Sequence, residues 1–270
     1  MQATAPTPPK APRPGAFCFF APSRRPRGHG WAAALALLLA VGAVAGARVE
    51  SFRVAEVFDG DTVRLADGRH VRLIGINTPE FGRDGAPDQP LAAAARDRLQ
   101  ALIGDRPVQV EYGTEERDRY GRWLAHLRLA DGRSVEELLL REGLAFAIAV
   151  PPNLERLARH QAAEADARRA GRGVWNHSYY VAANPETLTG TGFQRVRGRI
   201  THVGRSRKYV YLDMAPRFAL RIGHTDWGRY FGGRPEDWQG AAVEARGWVS
   251  EHNGRRHLAI GHPAMIERTR

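Results

Sequence analysis

The chain has 270 residues, 43% of them hydrophobic, enough for one large domain or two small ones with a packed core. Its net charge of +11, carried almost wholly by arginine since Lys10 and Lys208 are the only lysines, points to an anionic partner without naming it. Its single cysteine, Cys18, lies in an N-terminal leader, which excludes a disulfide framework, thiol chemistry and a cysteine-based zinc site in the remainder.

The leader spans residues 1–47. MQATAPTPPKAPRPGAFCFFAPSRRPRGHG is rich in Pro and basic residues, and WAAALALLLAVGAVAGA then runs apolar from Trp31 to Ala47. A basic stretch, an apolar core and small residues at Ala45 and Ala47 read as a secretory signal cleaved after Ala47. The long basic stretch leaves an uncleaved membrane anchor over residues 31–47 as the alternative. Both readings export the rest of the chain, into the periplasm or the medium, because the basic flank stays inside. The membrane is a partner only in the second reading.

From Val54 to about Tyr112 short strands alternate with turns: RVAEVF, TVRLA, RHVRLIGI and VQVEYG, with Asp67-Gly68 as a hairpin turn. PLAAAARDRLQALIG predicts a helix from about Leu91 to Ile103, stopped by Gly104. RWLAHLRLADG adds a strand. SVEELLLREGLAFAIA opens a helix on Ser134 with Glu137 three residues on, a capping-box pattern, and stops at Gly143. A last helix opens on Asn153 as cap and closes at Gly171 and Gly173. Four or five strands with helices inserted late suit a small curled barrel better than a parallel sheet.

NHSYYVAANPETLTGTG reads as a linker, placed over residues 179–191 between units at 48–178 and 192–270. Beyond it, FQRVRGRITHV, KYVYLDM, FALRIG, AAVEARGWVS and RRHLAIG all read as strands, the last two joined at Asn253-Gly254. A second small β-barrel or half-barrel is expected, making the whole α+β and mainly β. Residues 48–189 hold 20 Arg against 22 Asp and Glu, whereas residues 190–270 hold 15 basic against 7 acidic residues, for −2 and +8. The basic character therefore belongs to the C-terminal part. There Arg205, Arg207 and Lys208 adjoin Tyr209 and Tyr211, a pattern that can follow a phosphate backbone and stack on bases, or equally form a solvated hairpin.

Three segments concentrate polar residues where strands meet turns. They are DGDTV with Asp59 and Asp61, RLIGINTPE with Arg72, Asn77, Thr78 and Glu80, and RDRYGRWLA with Arg122. Singly, each is explained by turn chemistry, and Arg72 with Glu80 by an ion pair. Together they supply oxygen ligands for a hard cation such as Ca²⁺, a glutamate able to orient or deprotonate a water, and two guanidinium forks for a phosphate diester. That is equipment for phosphodiester hydrolysis. Pro79 restricts Thr78 to an extended backbone, which suits a carbonyl held outward.

VFDGDTVRL, VRLIGINTPE, DRYGRWLA, LLREGLA and GRGVW, in this order and spacing, resemble the staphylococcal nuclease (thermonuclease) family over about Arg53 to Trp175. The resemblance implies a five-stranded OB-fold barrel with flanking helices and a Ca²⁺-dependent nuclease that cleaves DNA and RNA and leaves 3′-phosphates. It assigns Arg72, Glu80 and Arg122 as catalytic, Asp61, Asn77 and the Thr78 carbonyl as calcium ligands, and Asp59 as an acidic residue behind them. Two positions depart from the founding member, which has an aspartate at Asn77 and tyrosines around FAIAVPPN, where only Phe146 is aromatic here. The first implies weaker calcium binding and the second a different way of positioning bases. A catalytically silent nucleic-acid-binding barrel is the alternative function, and an envelope scaffold a more distant one. The expected partners are DNA and RNA, with no protein partner, and the chain is expected to be a monomer.

Overall fold

Turn residues shape the first sheet. Gly68 adopts φ +89°, and Asp67 Oδ1 accepts from the Arg69 N–H, so the Asp-Gly pair closes the hairpin expected from sequence. The structure is a computed structural model and describes residues 49–269. The expected leader, in either its cleaved or its anchored form, lies outside the described residues. The first half contains β1 Val49–Phe52, β2 Val54–Asp59, β3 Thr62–Leu65, β4 His70–Leu73, β5 Ile76–Asn77, β6 Val108–Arg117, β7 Trp123–Arg128 and β8 Phe146–Ala147. Six of these form one curled half-barrel sheet in the order β1-β6-β7-β4-β3-β2, and β5 pairs separately with β8. Register shifts along β2 bend that edge of the sheet. Strand β1 was not expected. It pairs antiparallel with the long β6, from Val49↔Glu111 to Phe52↔Val108.

Three helices accompany this sheet: α1 Ala92–Ile103, α2 Val135–Arg141 and α3 Leu157–Arg169. Leu99 and Ile103 of α1, Leu139 and Leu140 of α2 and Ala163 of α3 are buried with Val63, Leu65, Val71, Leu73, Val110 and Leu127 of the strands in one core. Ser134 caps α2 as expected, accepting from the Glu137 N–H at 3.3 Å. Its hydroxyl in turn donates to Glu136 Oε2 at 2.6 Å. Asn153 is not the cap of α3, which begins after Arg156. Its amide instead bridges to β6, accepting from the Glu115 N–H at 2.8 Å and donating to the Glu115 carbonyl at 2.9 Å. A residue type that suits helix starts is here used to pair with an irregular strand end.

The second half contains β9 Gly192–Arg199, β10 His202–Arg205, β11 Tyr209–Ala215, β12 Phe218–Gly223, β13 Ala242–His252, β14 Arg255–Ala259 and β15 Ile266–Arg268. They make one seven-stranded sheet, β10-β11-β12-β14-β13-β15 with β9 on β13. Asn253 and Gly254 both have positive φ, as the β13–β14 hairpin requires. This sheet encloses its own core around Leu212, Phe218, Leu220, Ile222, Val243 and Leu258. Ile148 and Ala149, which come directly after β8, are buried in that second core, and Leu154 and Leu157 pack against it. A buried ion pair, Arg246 on β13 with Glu164 on α3 at 2.6 Å, joins the same two parts. The segment read as a linker is also anchored: Ala183 pairs with the β9 backbone, and the Tyr180 hydroxyl donates to the Pro90 carbonyl.

Candidate active site

The DGD turn is built by close packing. A Cβ on Gly60 would lie 2.7 Å from the Ala95 Cβ on α1 and 2.8 Å from the Thr78 Cβ, so only glycine lets the β2–β3 turn sit against both. Asp59 Oδ1 accepts from the Asp61 N–H at 3.0 Å, fixing the turn. Asp61 then points inward, 4% exposed, and its Oδ2 accepts from the Thr78 N–H at 2.8 Å.

Arg72 joins the turn to the end of β5. Its Nη1 lies 2.9 Å from Asp61 Oδ2 and donates to the Leu73 carbonyl at 3.0 Å, while Nη2 donates to Asn77 Oδ1 at 3.2 Å. Asn77 Nδ2 donates to the Thr78 carbonyl at 3.3 Å. Asp61, Asn77 and Thr78 are thereby gathered from two separate turns, all buried. Burial pushes the Asp61 carboxyl up to about 7, with Arg72 pulling it down and Asp59 pushing it further up. A buried carboxylate beside an amide oxygen and a backbone carbonyl is an all-oxygen donor set, which fits a hard cation. Among the described residues the buried Thr78 hydroxyl has no hydrogen-bond partner.

Glu80 and Arg122 stand outside this cluster, and among the described residues no hydrogen bond or ion pair joins either to it. Glu80 is exposed, and its backbone is held by Gln89, whose Oε1 accepts from the Glu80 N–H at 3.1 Å. Arg72 does not pair with Glu80, so the simple ion-pair explanation of these two residues is replaced by the Arg72–Asp61 contact. Arg122 precedes β7, one residue before the parallel Val71↔Trp123 pairing that sets β7 beside Arg72's strand. Its Nε donates to Asp118 Oδ2 at 2.7 Å, and this contact helps hold the Asp118 carboxyl below the usual range despite burial.

Beside Asn77 and Thr78 opens a cleft of about 360 Å³, lined also by Phe146, Tyr180, Phe193 and Arg195. Phe146 packs 5.6 Å from the Tyr180 ring and 5.5 Å from the Phe193 ring. Sequence reasoning missed this wall because Tyr179 and Tyr180 lie in the expected linker and Phe193 in the second unit. The adjacent pair Tyr179-Tyr180 was the available signal.

In the second sheet, Tyr209 and Tyr211 lie on one face of β11, 6.2 Å apart, with Arg221 over the Tyr209 ring at 4.9 Å. Arg205 is tied to Glu236 at 2.6 Å, whereas Arg207 and Lys208 are exposed and have no ion pair among the described residues. The five candidate residues thus divide into a paired arginine, two free cations and two ring faces.

Comparison with known proteins agrees with this geometry. Residues 70–177 match the family described as Staphylococcal nuclease homologue. The chain is 33% identical over 137 residues to a protein named Thermonuclease from Staphylococcus hyicus, covering 50% of this chain and 80% of that protein. It is 37% identical over 131 residues to Thermonuclease of Staphylococcus intermedius, covering 47% and 77% of the two chains. Endonuclease YncB of Bacillus subtilis is 34% identical over 128 residues, 46% of this chain and 60% of that protein. With the turn motifs, the curled sheet and these similarities in agreement, the chain belongs to the staphylococcal nuclease homologue family.

Proposed function

We propose that this chain is an exported, Ca²⁺-dependent endonuclease that hydrolyses phosphodiester bonds in DNA and RNA and leaves 3′-phosphates. The observation that carries the reading is the convergence of Asp61, Asn77 and Thr78 around the Arg72 fork. Asp61, Asn77 Oδ1 and the Thr78 carbonyl would hold the calcium ion, with Asp59 fixing the turn that presents Asp61. Bound there, calcium supplies positive charge beside the phosphate and keeps several waters in its shell. Export rests on the leader sequence alone.

Glu80 is exposed and has no ion pair among the described residues, so its carboxylate is available to orient a water or take its proton as the water attacks phosphorus. Arg72 and Arg122 present planar donors to the non-bridging oxygens and stabilise the charge that builds there. Both guanidinium groups rest on carboxylates, Arg72 on Asp61 and Arg122 on Asp118, and turn part of their donor set to the phosphate when substrate binds. The bond from phosphorus to the 5′-oxygen breaks, and the phosphate stays on the 3′ side. Phe146, Tyr180 and Phe193 offer an apolar wall for a base next to the ligand residues, in place of the tyrosines absent from FAIAVPPN.

Digestion of plasmid DNA and of RNA, with Ca²⁺ or with a chelator, tests the reading. Cleavage in calcium alone, with product ends that a phosphatase can trim, is expected. Binding without cleavage would identify the chain as the silent nucleic-acid-binding barrel instead.

A further inference from the structure

A second polar cluster lies inside the first core and takes no part in the chemistry above. His126 comes from β7, Glu136 from the first turn of α2 and His160 from the first turn of α3, and they are 3%, 0% and 1% exposed. One ligand atom from each lies within 4.8 Å of the other two. Glu136 is well supported: its Oε1 accepts from the Leu127 N–H at 2.9 Å and its Oε2 from the Ser134 hydroxyl at 2.6 Å. The histidines are not. Among the described residues neither ring nitrogen of His126 or of His160 has a hydrogen-bond partner of ordinary geometry; the contacts of His126 Nδ1 with Glu136 Oε1, at 3.4 Å, and of the His160 ring with the Gly75 backbone are too poorly aimed to serve as one.

Buried polar groups are nearly always satisfied, because an orphan keeps the full cost of leaving water. Two neighbouring imidazoles with no such partner on either nitrogen, facing a carboxylate, therefore call for something between them. We propose that His126, Glu136 and His160 hold a transition-metal ion of the zinc class in a structural site that ties β7, α2 and α3 together.

The donor chemistry selects the ion. Two imidazole nitrogens and a carboxylate oxygen suit Zn²⁺ and its neighbours, and do not suit the hard calcium ion that the oxygen cluster at Asp61 fits. Ligands about 2.0–2.1 Å from a tetrahedral zinc ion stand about 3.3 Å apart, close to the 3.4 Å between His126 Nδ1 and Glu136 Oε1. Bringing His160 in asks for a contraction of about 1 Å or more from the outer limit of 4.8 Å. Glu136 retains lone pairs for a metal even while it accepts from Leu127 and Ser134.

The backbone is shaped around this ring. Gly75 has φ +78°, and a Cβ there would fall 2.4 Å from His160 Nδ1. The glycine gives the imidazole its place between the β4–β5 corner and α3. With all three residues enclosed, the ion enters during folding or through a local opening, and its binding energy adds to stability.

The test uses the full chain purified without chelator. Elemental analysis should find about one zinc-class ion per chain. After the ion is stripped with a chelator in mild denaturant and the protein refolded, Co²⁺ should give the intense visible bands of a tetrahedral nitrogen and oxygen site, and Ca²⁺ should not displace it. Free Zn²⁺ at about a hundred times its dissociation constant should raise Tm by about 5–10 °C. Glu136→Gln, which keeps the acceptor for Leu127, should weaken Zn²⁺ binding by about tenfold or more. His160→Leu should abolish the cobalt bands; should that variant not fold, the cobalt titration of the unaltered chain decides. Stripped and untreated protein with equal Tm, no retained metal and only the weak bands of an octahedral oxygen site would overturn the proposal and leave the trio as a water-filled or merely packed core feature. None of these readouts is nuclease activity, so the result stands apart from the calcium-dependent hydrolysis.

Discussion

The two sheets use arginine differently, although they belong to one compact unit. In the first, residues 48–189 balance at −2, and the arginines assigned to chemistry rest on carboxylates, Arg72 on Asp61 and Arg122 on Asp118. In the second, residues 190–270 carry +8, yet many of their cations are also committed. Arg195 and Arg197 share Glu244, Arg246 is buried against Glu164, Arg255 meets Asp213 and Arg205 meets Glu236. Among the described residues, Arg199, Arg207, Lys208, Arg217, Arg221, Arg229 and Arg268 have no ion pair, and Tyr209 stands beside Arg221. A charge excess shows that cations are left over; the pairing shows which ones, and Arg207, Lys208, Arg217 and Arg221 among them lie on or beside β11 and β12, where Tyr209 and Tyr211 also stand.

The comparison breaks most severely at Glu80, an exposed acid of the first region that the described residues leave without an ion pair. Glu80→Gln should lower kcat/KM by about 10² to 10⁴ while leaving Tm unchanged. Activity within about threefold of the parent protein would remove Glu80 from the mechanism. Arg72→Ala is a less clean probe, because it strands Asp61, whose side chain is only 6% exposed. It should lose stability as well as turnover.

Next in size is the committed arginine of the second region. Arg246→Met leaves Glu164 buried and unpaired on that side, with, among the described residues, only the Ala147 N–H still donating to it at 2.7 Å. A loss of about 3–5 kcal/mol in denaturant unfolding is expected, as for other broken buried pairs. A change below about 1 kcal/mol would mean that this pair does not hold the two parts together. Asn77→Asp comes third. It adds a ligand charge and should lower the calcium concentration for half-maximal activity by about tenfold; an unmoved calcium curve would remove Asn77 from the ligand set.

The smallest effect separates free cations from paired ones. Replacing Arg207 and Lys208 together by Gln should raise KM for long duplex DNA and flatten the log-log salt dependence by about 0.9 for each phosphate no longer neutralised. Replacing the paired Arg205 should do less. Equal salt slopes for all three proteins would take the nucleic-acid footprint away from this hairpin. Deleting residues 190–270 is not an equivalent experiment, because it would also uncover Ile148 and Ala149.

Much of the candidate site was legible because its parts are short, local turn motifs. Asp59-Gly60-Asp61 and Asn77-Thr78-Pro79-Glu80 announce themselves by spacing, and the structure brings Asp61, Arg72, Asn77 and Thr78 into one hydrogen-bonded group. Strands and hairpins were legible for the same reason, through alternation and through Asp67-Gly68 and Asn253-Gly254. What escaped depends on partners far apart in the chain. His126, Glu136 and His160 sit on three elements with no common period. Asn153 looks like a cap until β6 is folded beside it. Residues 179–191 read as a tether because their contacts, to Pro90, Phe146 and the β9 backbone, all come from elsewhere. Arginine pairing across β9 and β13 depends on a register that composition does not reveal.

The burial of Ile148 and Ala149 in the second core bears on how the protein is made. A ribosome releases the whole nuclease half before the strands that cover these residues have been synthesised. During that interval the segment after β8 offers an apolar surface next to the nascent cleft, and α3 carries Glu164 without Arg246. The half-barrel therefore reaches its final stability only when β13 has been synthesised or, for an exported chain, translocated. Elongation rate and chaperone supply during that interval should influence yield more than anything that happens while the turns of the candidate site are forming.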